Sequence, residues 1–274
     1  MEKVEKNWAA LPFAALALAT AIALCILLEL RGWAVAAGLV LGFCGAFVLW
    51  LILYVLVLAL ISLFLDTEHL PERFEAFPHA MVTHVEGLLP ALARVRIHVS
   101  GLELLPAGRF LLVGNHRSGF DPLVTGWVLR ARQLSFILKP SIRSLPVVGP
   151  FVHRSLFLAI DRENDRAALK TILTAAKLMK EDVVSFGVYP EGTRNKGEGL
   201  LPFRNGAFKI AQRAKTGVVV AAITGTDEIA RRFPWRRTDV YLRFTHYYDA
   251  ETVAAMNTGD LGEAVRQSIL AALA

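Results

Sequence analysis

The chain has 274 residues, of which 54% are hydrophobic and 20% charged, with a formal net charge of +6. Soluble domains average about 45–50% apolar and about 25% charged residues, so this composition excludes a disordered chain and is too apolar for an ordinary soluble one. Its two cysteines, Cys25 and Cys44, lie in apolar runs, which excludes a disulfide scaffold and a cysteine-ligated zinc site.

The apolar residues are concentrated near the N-terminus. Between Trp8 and Leu65 the only charged residues are Glu29 and Arg31. They separate Trp8–Leu30 from Trp33–Leu65, and each stretch exceeds the roughly 20 apolar residues of a membrane-crossing helix. The second would reach about 50 Å at about 1.5 Å per residue, so it must tilt, kink or emerge on one side. A cleaved signal peptide is disfavoured, because its apolar core runs about 7–15 residues and here a second long run follows at once. The pattern predicts a membrane-embedded helical hairpin over residues 1–65, with Glu29, Arg31 and Gly32 at its turn and both ends on one side. Gly38 and Gly42 have the GxxxG spacing that lets two helices approach closely, a spacing that small residues also produce incidentally in membrane helices.

Residues 66–274 form the second unit. Lys3, Lys6 and Arg31 balance Glu2, Glu5 and Glu29, so the whole positive excess lies beyond residue 65. Positive residues favour the cytoplasmic side of a membrane, and this unit is expected there, drawn toward anionic headgroups. The run Arg231-Arg232-Phe233-Pro234-Trp235-Arg236-Arg237 reads either as an interface anchor or as a solvated surface loop. With no zinc-finger, helix-turn-helix or RNA-binding signature, nucleic acid is not an expected partner.

Val-, Ile- and Phe-rich runs predict strands at Val95–Val99, Phe110–Gly114, Leu134–Leu138, Leu156–Ile160, Val183–Tyr189, Val218–Thr224 and Val240–Phe244. Between them, Asn164–Glu181 has helical spacing, with Leu169, Ile172, Leu173, Ala176 and Met179 on one face and Asn164 as N-cap, and Arg204–Lys215 predicts another helix. The alternation predicts an α/β fold: a mixed, largely parallel sheet flanked by helices, preceded by the hairpin. In such sheets functional groups gather on the loops at strand ends.

Four such loops carry chemistry. Asn115-His116-Arg117-Ser118-Gly119-Phe120-Asp121 follows the second strand. A carboxylate at Asp121 can hold one ring nitrogen of His116, fix its tautomer and stabilise the imidazolium, which makes His116 a candidate general base. No GxSxG nucleophile elbow is present, so the pair suits activation of a substrate hydroxyl rather than a protein one. His246, with Asp249 and Glu251 nearby, is a rival by spacing alone. Tyr189-Pro190-Glu191-Gly192-Thr193-Arg194 is a strand-ending turn offering backbone donors, a hydroxyl and a guanidinium to a phosphate. Arg162, after Ile160-Asp161, and Lys139 also follow strands, and each alone reads equally as a surface cation.

The ordered set Asn-His-x4-Asp, Ile-Asp-Arg and Tyr-Pro-Glu-Gly-Thr-Arg resembles the glycerolipid acyltransferase family, and most of all its bacterial 1-acyl-sn-glycerol-3-phosphate acyltransferases. The resemblance runs from about Val95 to about Thr226. It implies that His116 is the general base and Asp121 its partner. It further implies that Glu191, Gly192, Thr193, Arg194 and Arg162 hold the acceptor's phosphate, with Lys139 near the same site. The implied reaction moves a fatty acyl group from an acyl thioester, on CoA or acyl carrier protein, to the 2-hydroxyl of 1-acyl-sn-glycerol-3-phosphate. The product would be phosphatidate, a phospholipid precursor. The implied partners are the lysophospholipid acceptor, the thioester donor, membrane lipids and, where it carries the donor acyl group, acyl carrier protein, with no metal or redox cofactor. Other acceptors (glycerol-3-phosphate, another lysophospholipid, a lyso-aminolipid) and a membrane lipid hydrolase are the alternatives. Two positions depart from the family pattern. Val218–Ile223 lacks the Pro common in the fourth motif, which bears on the wall of the acyl pocket, and Tyr189 stands where Phe is commoner.

Overall fold

The computed structural model describes residues 2–273. In chain order the elements are β1 (Lys3–Glu5), α1 (Leu11–Leu27), α2 (Trp33–Ser62), α3 (Ala76–Leu92), β2 (Val95–Ser100), β3 (Phe110–Gly114), α4 (Phe120–Val128), β4 (Leu134–Leu138), α5 (Pro140–Arg143), α6 (Val148–Arg154), β5 (Leu158–Ala159), α7 (Asp165–Lys180), β6 (Ser185–Val188), α8 (Lys209–Ala214), β7 (Gly217–Thr224), α9 (Ile229–Arg232), β8 (Thr238–Tyr248), α10 (Ala250–Ala255) and α11 (Thr258–Leu273).

The strands form one sheet in the order β1-β2-β8-β7-β3-β6-β4-β5. The pairs β2/β8, β7/β3, β3/β6, β6/β4 and β4/β5 are parallel, while β1/β2 and β7/β8 are antiparallel. This is the mixed, largely parallel sheet that the strand–helix alternation predicts. Because side chains alternate across a strand, each apolar strand feeds two cores. Leu111 and Val113 of β3 face α7, α8 and α11, and Phe110 and Leu112 face α3, α4 and the start of α1.

Several features differ from the sequence-based reading. Strand β5 is cut to Leu158–Ala159 because Leu156 sits at φ 64°, outside the extended region. Helix α7 begins as expected, its Asn164 side chain accepting from the Ala167 amide at 3.0 Å. Its buried face is Ile172, Ala175, Ala176, Leu178 and Met179, whereas Leu169 and Leu173 are more than 40% exposed. Lys3–Glu5 pairs with Ile97–Val99, so the chain joins the sheet before it enters α1.

Helices α1 and α2 form the antiparallel hairpin. Gly38 and Gly42 lie on its seam: a Cβ at Gly42 would sit 3.3 Å from that of Ala21, and one at Gly38 would press on Leu30 and on Cys25 Sγ at 3.0 Å. The GxxxG spacing is therefore a contact surface. Outward, α2 exposes Val40, Leu41, Val48, Leu49, Ile52, Val55 and Leu56. Among the described residues α2, with 30 residues, is the helix long and apolar enough to cross a membrane, and α1 has 17. Helix α1 is shorter than its apolar run because residues 7–9 are tied to the domain. The Asn7 side chain donates to Gly87 O at 2.8 Å, and Trp8 packs edge-on against Trp127.

Candidate active site

Strands β3, β6, β4 and β5 are successive parallel neighbours, so their C-terminal ends share one rim. From these ends come His116, the Tyr189–Arg194 turn, Lys139 and Arg162, as the strand-end reading requires.

The His116 loop is held by its neighbours. Asn115 exchanges two hydrogen bonds with the backbone of Ile223, at 2.9 and 2.8 Å, tying the end of β3 to β7. The His116 amide donates to Glu191 Oε1 at 2.7 Å, and the His116 carbonyl accepts from the Asn195 amide at 2.7 Å. Asp121, fully buried in the first turn of α4, gathers four donors. His116 Nδ1 lies 2.8 Å from its Oδ2, the Arg117 and Ser118 amides reach the same oxygen at 2.6 and 2.8 Å, and the Thr226 hydroxyl bonds Oδ1. With Nδ1 so engaged it carries the proton, leaving Nε2 as the basic nitrogen. Behind the imidazole the rings of Tyr189 and Phe136 continue a stack, each nearly parallel to the next.

A cavity of about 420 Å³ opens from His116. Its polar end is lined by His116, Lys139, Arg162, Gly192, Thr193 and Arg194. The rest is apolar, walled by Met81, Val82 and Val85 of α3, Leu123 of α4, Phe136 and Phe151, and reaching Leu58 of α2. Gly192 is needed here. It adopts φ +74°, and a Cβ would stand 3.1 Å from Arg204 Nε and 3.5 Å from Arg162 Nη1. Burial, and then the charge of Arg204, push the Arg162 guanidinium below its usual pKa. Among the described residues no carboxylate pairs with Lys139, Arg162, Arg194 or Arg204. Unpaired cations crowded on one rim stabilise an incoming anion. Arg117, by contrast, is engaged by Asp227 at 2.8 Å and by Gly197 O.

Two expected roles change. Glu191 does not line the cavity: it is buried, and its carboxylate accepts from the His116 and Leu201 amides at 2.7 and 2.9 Å. Its work is to hold the His116 loop against the Gly192 turn. Strand β7 is also not the wall of the main cavity, which α3, α4 and α6 supply. His246 has no part in the site, for it lies on β8 against Tyr248 while Asp249 caps α10 through the Thr252 amide. Arg204 went unmarked in the sequence, where it is one cation at the head of a helix. Its nearness to Arg162 arises only because its amide is pinned to Pro190 O.

Residues 96–224 match the Acyltransferase family. The 1-acyl-sn-glycerol-3-phosphate acyltransferase of Haemophilus influenzae is 29% identical over 153 residues, 56% of this chain and 63% of that protein. The protein of the same name from Borreliella burgdorferi is 29% identical over 137 residues, 50% of this chain and 54% of its own. An uncharacterized acyltransferase of Schizosaccharomyces pombe is 32% identical over 140 residues, half of each chain. The matches thus span about half to two-thirds of these relatives' lengths. In fold, the chain resembles the 1-acyl-sn-glycerophosphate acyltransferase PlsC of Thermotoga maritima, with a TM-score of 0.57 at 22% identity over 81% of this chain and 87% of that one.

Proposed function

We propose that this acyltransferase moves a fatty acyl group from a CoA or acyl carrier protein thioester to the 2-hydroxyl of 1-acyl-sn-glycerol-3-phosphate, giving phosphatidate. The observation that carries the reading is the shared cavity. It sets a carboxylate-backed imidazole and unpaired cations at one end and a long apolar wall at the other. The bacterial relatives, both named 1-acyl-sn-glycerol-3-phosphate acyltransferase, support the same reaction.

The chemistry follows from the groups present. His116 Nε2 takes the proton of the acceptor hydroxyl as its oxygen attacks the thioester carbonyl, forming the C–O bond and a tetrahedral oxyanion. The intermediate collapses with cleavage of the C–S bond, and the imidazolium returns the proton to the departing thiolate. Asp121 holds the ring and stabilises its cationic form. Arg162 and Arg194, with Lys139 and the Thr193 hydroxyl, grip the phosphate so that the hydroxyl meets the base; positioning of this kind can lower a barrier by several kcal/mol. The reaction balances without a metal or redox cofactor.

The acceptor and the product both live in a bilayer, and the hairpin's exposed apolar faces fit insertion there. In this reading residues 1–65 are the anchor, with β1 stitched to the sheet, and residues 66–274 lie on the cytoplasmic side of the membrane. The cavity's contact with Leu58 of α2 lets an acyl chain pass from lipid to the site.

An acceptor panel tests this: one radiolabelled thioester offered with 1-acyl-sn-glycerol-3-phosphate, glycerol-3-phosphate, an uncharged lysolipid, a lyso-aminolipid, or no acceptor. Phosphatidate formed fastest supports the reading. Preference for another acceptor reassigns the substrate, and release of free fatty acid without an acceptor would make the protein a hydrolase.

A further inference from the structure

One motif of the sequence has no part in the site. The run Arg231-Arg232-Phe233-Pro234-Trp235-Arg236-Arg237 closes α9 and leads into β8 as a tight turn. The Phe233 amide donates to Ile229 O and the Arg236 amide to Arg232 O, both at 2.9 Å. From the end of α3, Arg94 Nη1 donates to Pro234 O at 3.0 Å. The turn is thus braced from within and from outside, yet it buries neither aromatic ring. Phe233 is half exposed, and Trp235, at 85%, is the most exposed large apolar side chain among the described residues. Next to it rank Trp33 at 83% and Phe64 at 82%, which flank α2, the helix long and apolar enough to cross a membrane. An ordered turn that offers its large apolar rings to the outside marks a contact surface.

Charge and position indicate the partner. Arg94, Arg231, Arg232, Arg236 and Arg237 lie on or against the turn, and the carboxylate set against them is Glu228, which pairs with Arg231 and Arg232. Among the described residues Arg236 and Arg237 have no carboxylate partner. The strand register places this cationic turn. Glu5 is level with Ile97 and Ile97 with Val240, so β1 and β8 lie two strand spacings apart, about 10 Å. Strand β1 runs antiparallel to β2 and β8 parallel to it. The chain therefore leaves β1 for α1 at the same sheet end where the Trp235 turn enters β8. That end also carries His116, because β8 is antiparallel to β7 and β7 is parallel to β3.

We propose that Phe233 and Trp235 enter the headgroup region of an anionic bilayer while Arg231, Arg236 and Arg237 bind its phosphates, giving the domain a second membrane contact beside the hairpin. Tryptophan is favoured at that depth, where its ring leaves water and its N–H stays hydrated. Each arginine near an anionic surface is worth about fivefold in partitioning. An acidic protein would satisfy the arginines, but two exposed rings beside the entry to an apolar helix fit lipid. The contact holds the His116 end of the sheet toward the lipid layer and makes its seating depend on lipid charge and on salt. This inference rests on the membrane reading of the hairpin and not on the acyl-transfer chemistry.

The test uses the full chain reconstituted in vesicles of phosphatidylcholine, alone or mixed with phosphatidylglycerol, with lipids brominated near the headgroup as quenchers of tryptophan emission. The difference between the parent protein and Trp235→Phe isolates the Trp235 signal from the other tryptophans. In mixed vesicles that signal should be quenched by the brominated lipid and shielded from acrylamide in the water. A variant carrying both Arg236→Gln and Arg237→Gln should need a higher proportion of phosphatidylglycerol for the same quenching, and added salt should act in the same direction. A Trp235 signal untouched by brominated lipid, and as open to acrylamide with vesicles as in detergent, overturns the inference. A double arginine variant with the parent's dependence on phosphatidylglycerol also overturns it; if that variant loses binding of purified acyl carrier protein, the turn is a protein-docking surface instead. Flotation with pure phosphatidylcholine vesicles reports the hairpin separately. A chain that fails to float there removes the membrane reading of the hairpin, while lipid quenching of Trp235 in mixed vesicles would still support the contact proposed for the turn.

Discussion

His116 lies flat on Tyr189, with ring centroids 4.6 Å apart and planes 17° from parallel. The Asp121 carboxylate holds the ring at one edge, 2.8 Å from Nδ1, and Tyr189 holds its face. These two contacts leave the imidazole little rotational freedom. Tyr189→Ala should therefore lower kcat by about ten- to a hundredfold while changing acceptor KM by less than about threefold, since it disturbs orientation rather than phosphate binding. Tyr189→Phe should keep kcat. Steady-state kinetics on the two variants checks both, and a large rise in acceptor KM for Tyr189→Ala would argue against an orienting role.

Glu191 and Arg194 are three residues apart but should fail differently. If Arg194 holds the headgroup as proposed, Arg194→Ala should raise acceptor KM by about tenfold or more, with little effect on thermal stability, because it is exposed and lines the cavity. Glu191→Ala strips the partner from two backbone amides in a buried setting, a loss of about 1–3 kcal/mol each way such groups are usually stranded. It should lower the melting temperature and kcat together and leave acceptor KM near its original value. Kinetics paired with thermal unfolding separates the two patterns.

Much of this site was legible from sequence because its parts are local. The strand-to-helix turn that holds His116 also holds Asp121, five residues on, so one loop conformation brings them together. Strand ends were readable for the same reason, and parallel neighbours then had to share a rim. What could not be read depends on contacts between distant segments. Arg204 meets Arg162 only through the Pro190 backbone, and Glu191 turns inward because the His116 and Leu201 amides both point at it. Strand β1 escaped notice because Lys3-Val4-Glu5 has no strand pattern of its own and pairs only because the β2 edge is open. Glu86 carries no signal of its own in the sequence, and its buried carboxyl packs over Gly126, forty residues later.

His79 supplies a pH prediction away from the chemistry. It is buried in α3 against Phe74, its Nδ1 has no partner, and burial pulls its pKa from 6.5 down to about 4. A histidine whose folded pKa is depressed binds protons more readily when unfolded. Its contribution is therefore fully present above about pH 6.5 and is lost as pH falls from there toward about 4. The loss amounts to about 3 kcal/mol at the acid end, by about 1.4 kcal/mol per unit. His79→Phe should flatten that part of the stability–pH curve relative to the parent protein, as measured by denaturant unfolding between pH values of about 7 and 4. Parallel curves for the two proteins would remove His79 as the cause.

The most direct test of the central claim is acyl transfer by His116→Ala, compared with the parent protein on 1-acyl-sn-glycerol-3-phosphate and a radiolabelled acyl-CoA. The parent should make labelled phosphatidate, and the variant should make essentially none while keeping its fold, its membrane association and its affinity for the acceptor. Undiminished phosphatidate synthesis by His116→Ala would contradict the assignment of His116 as the base.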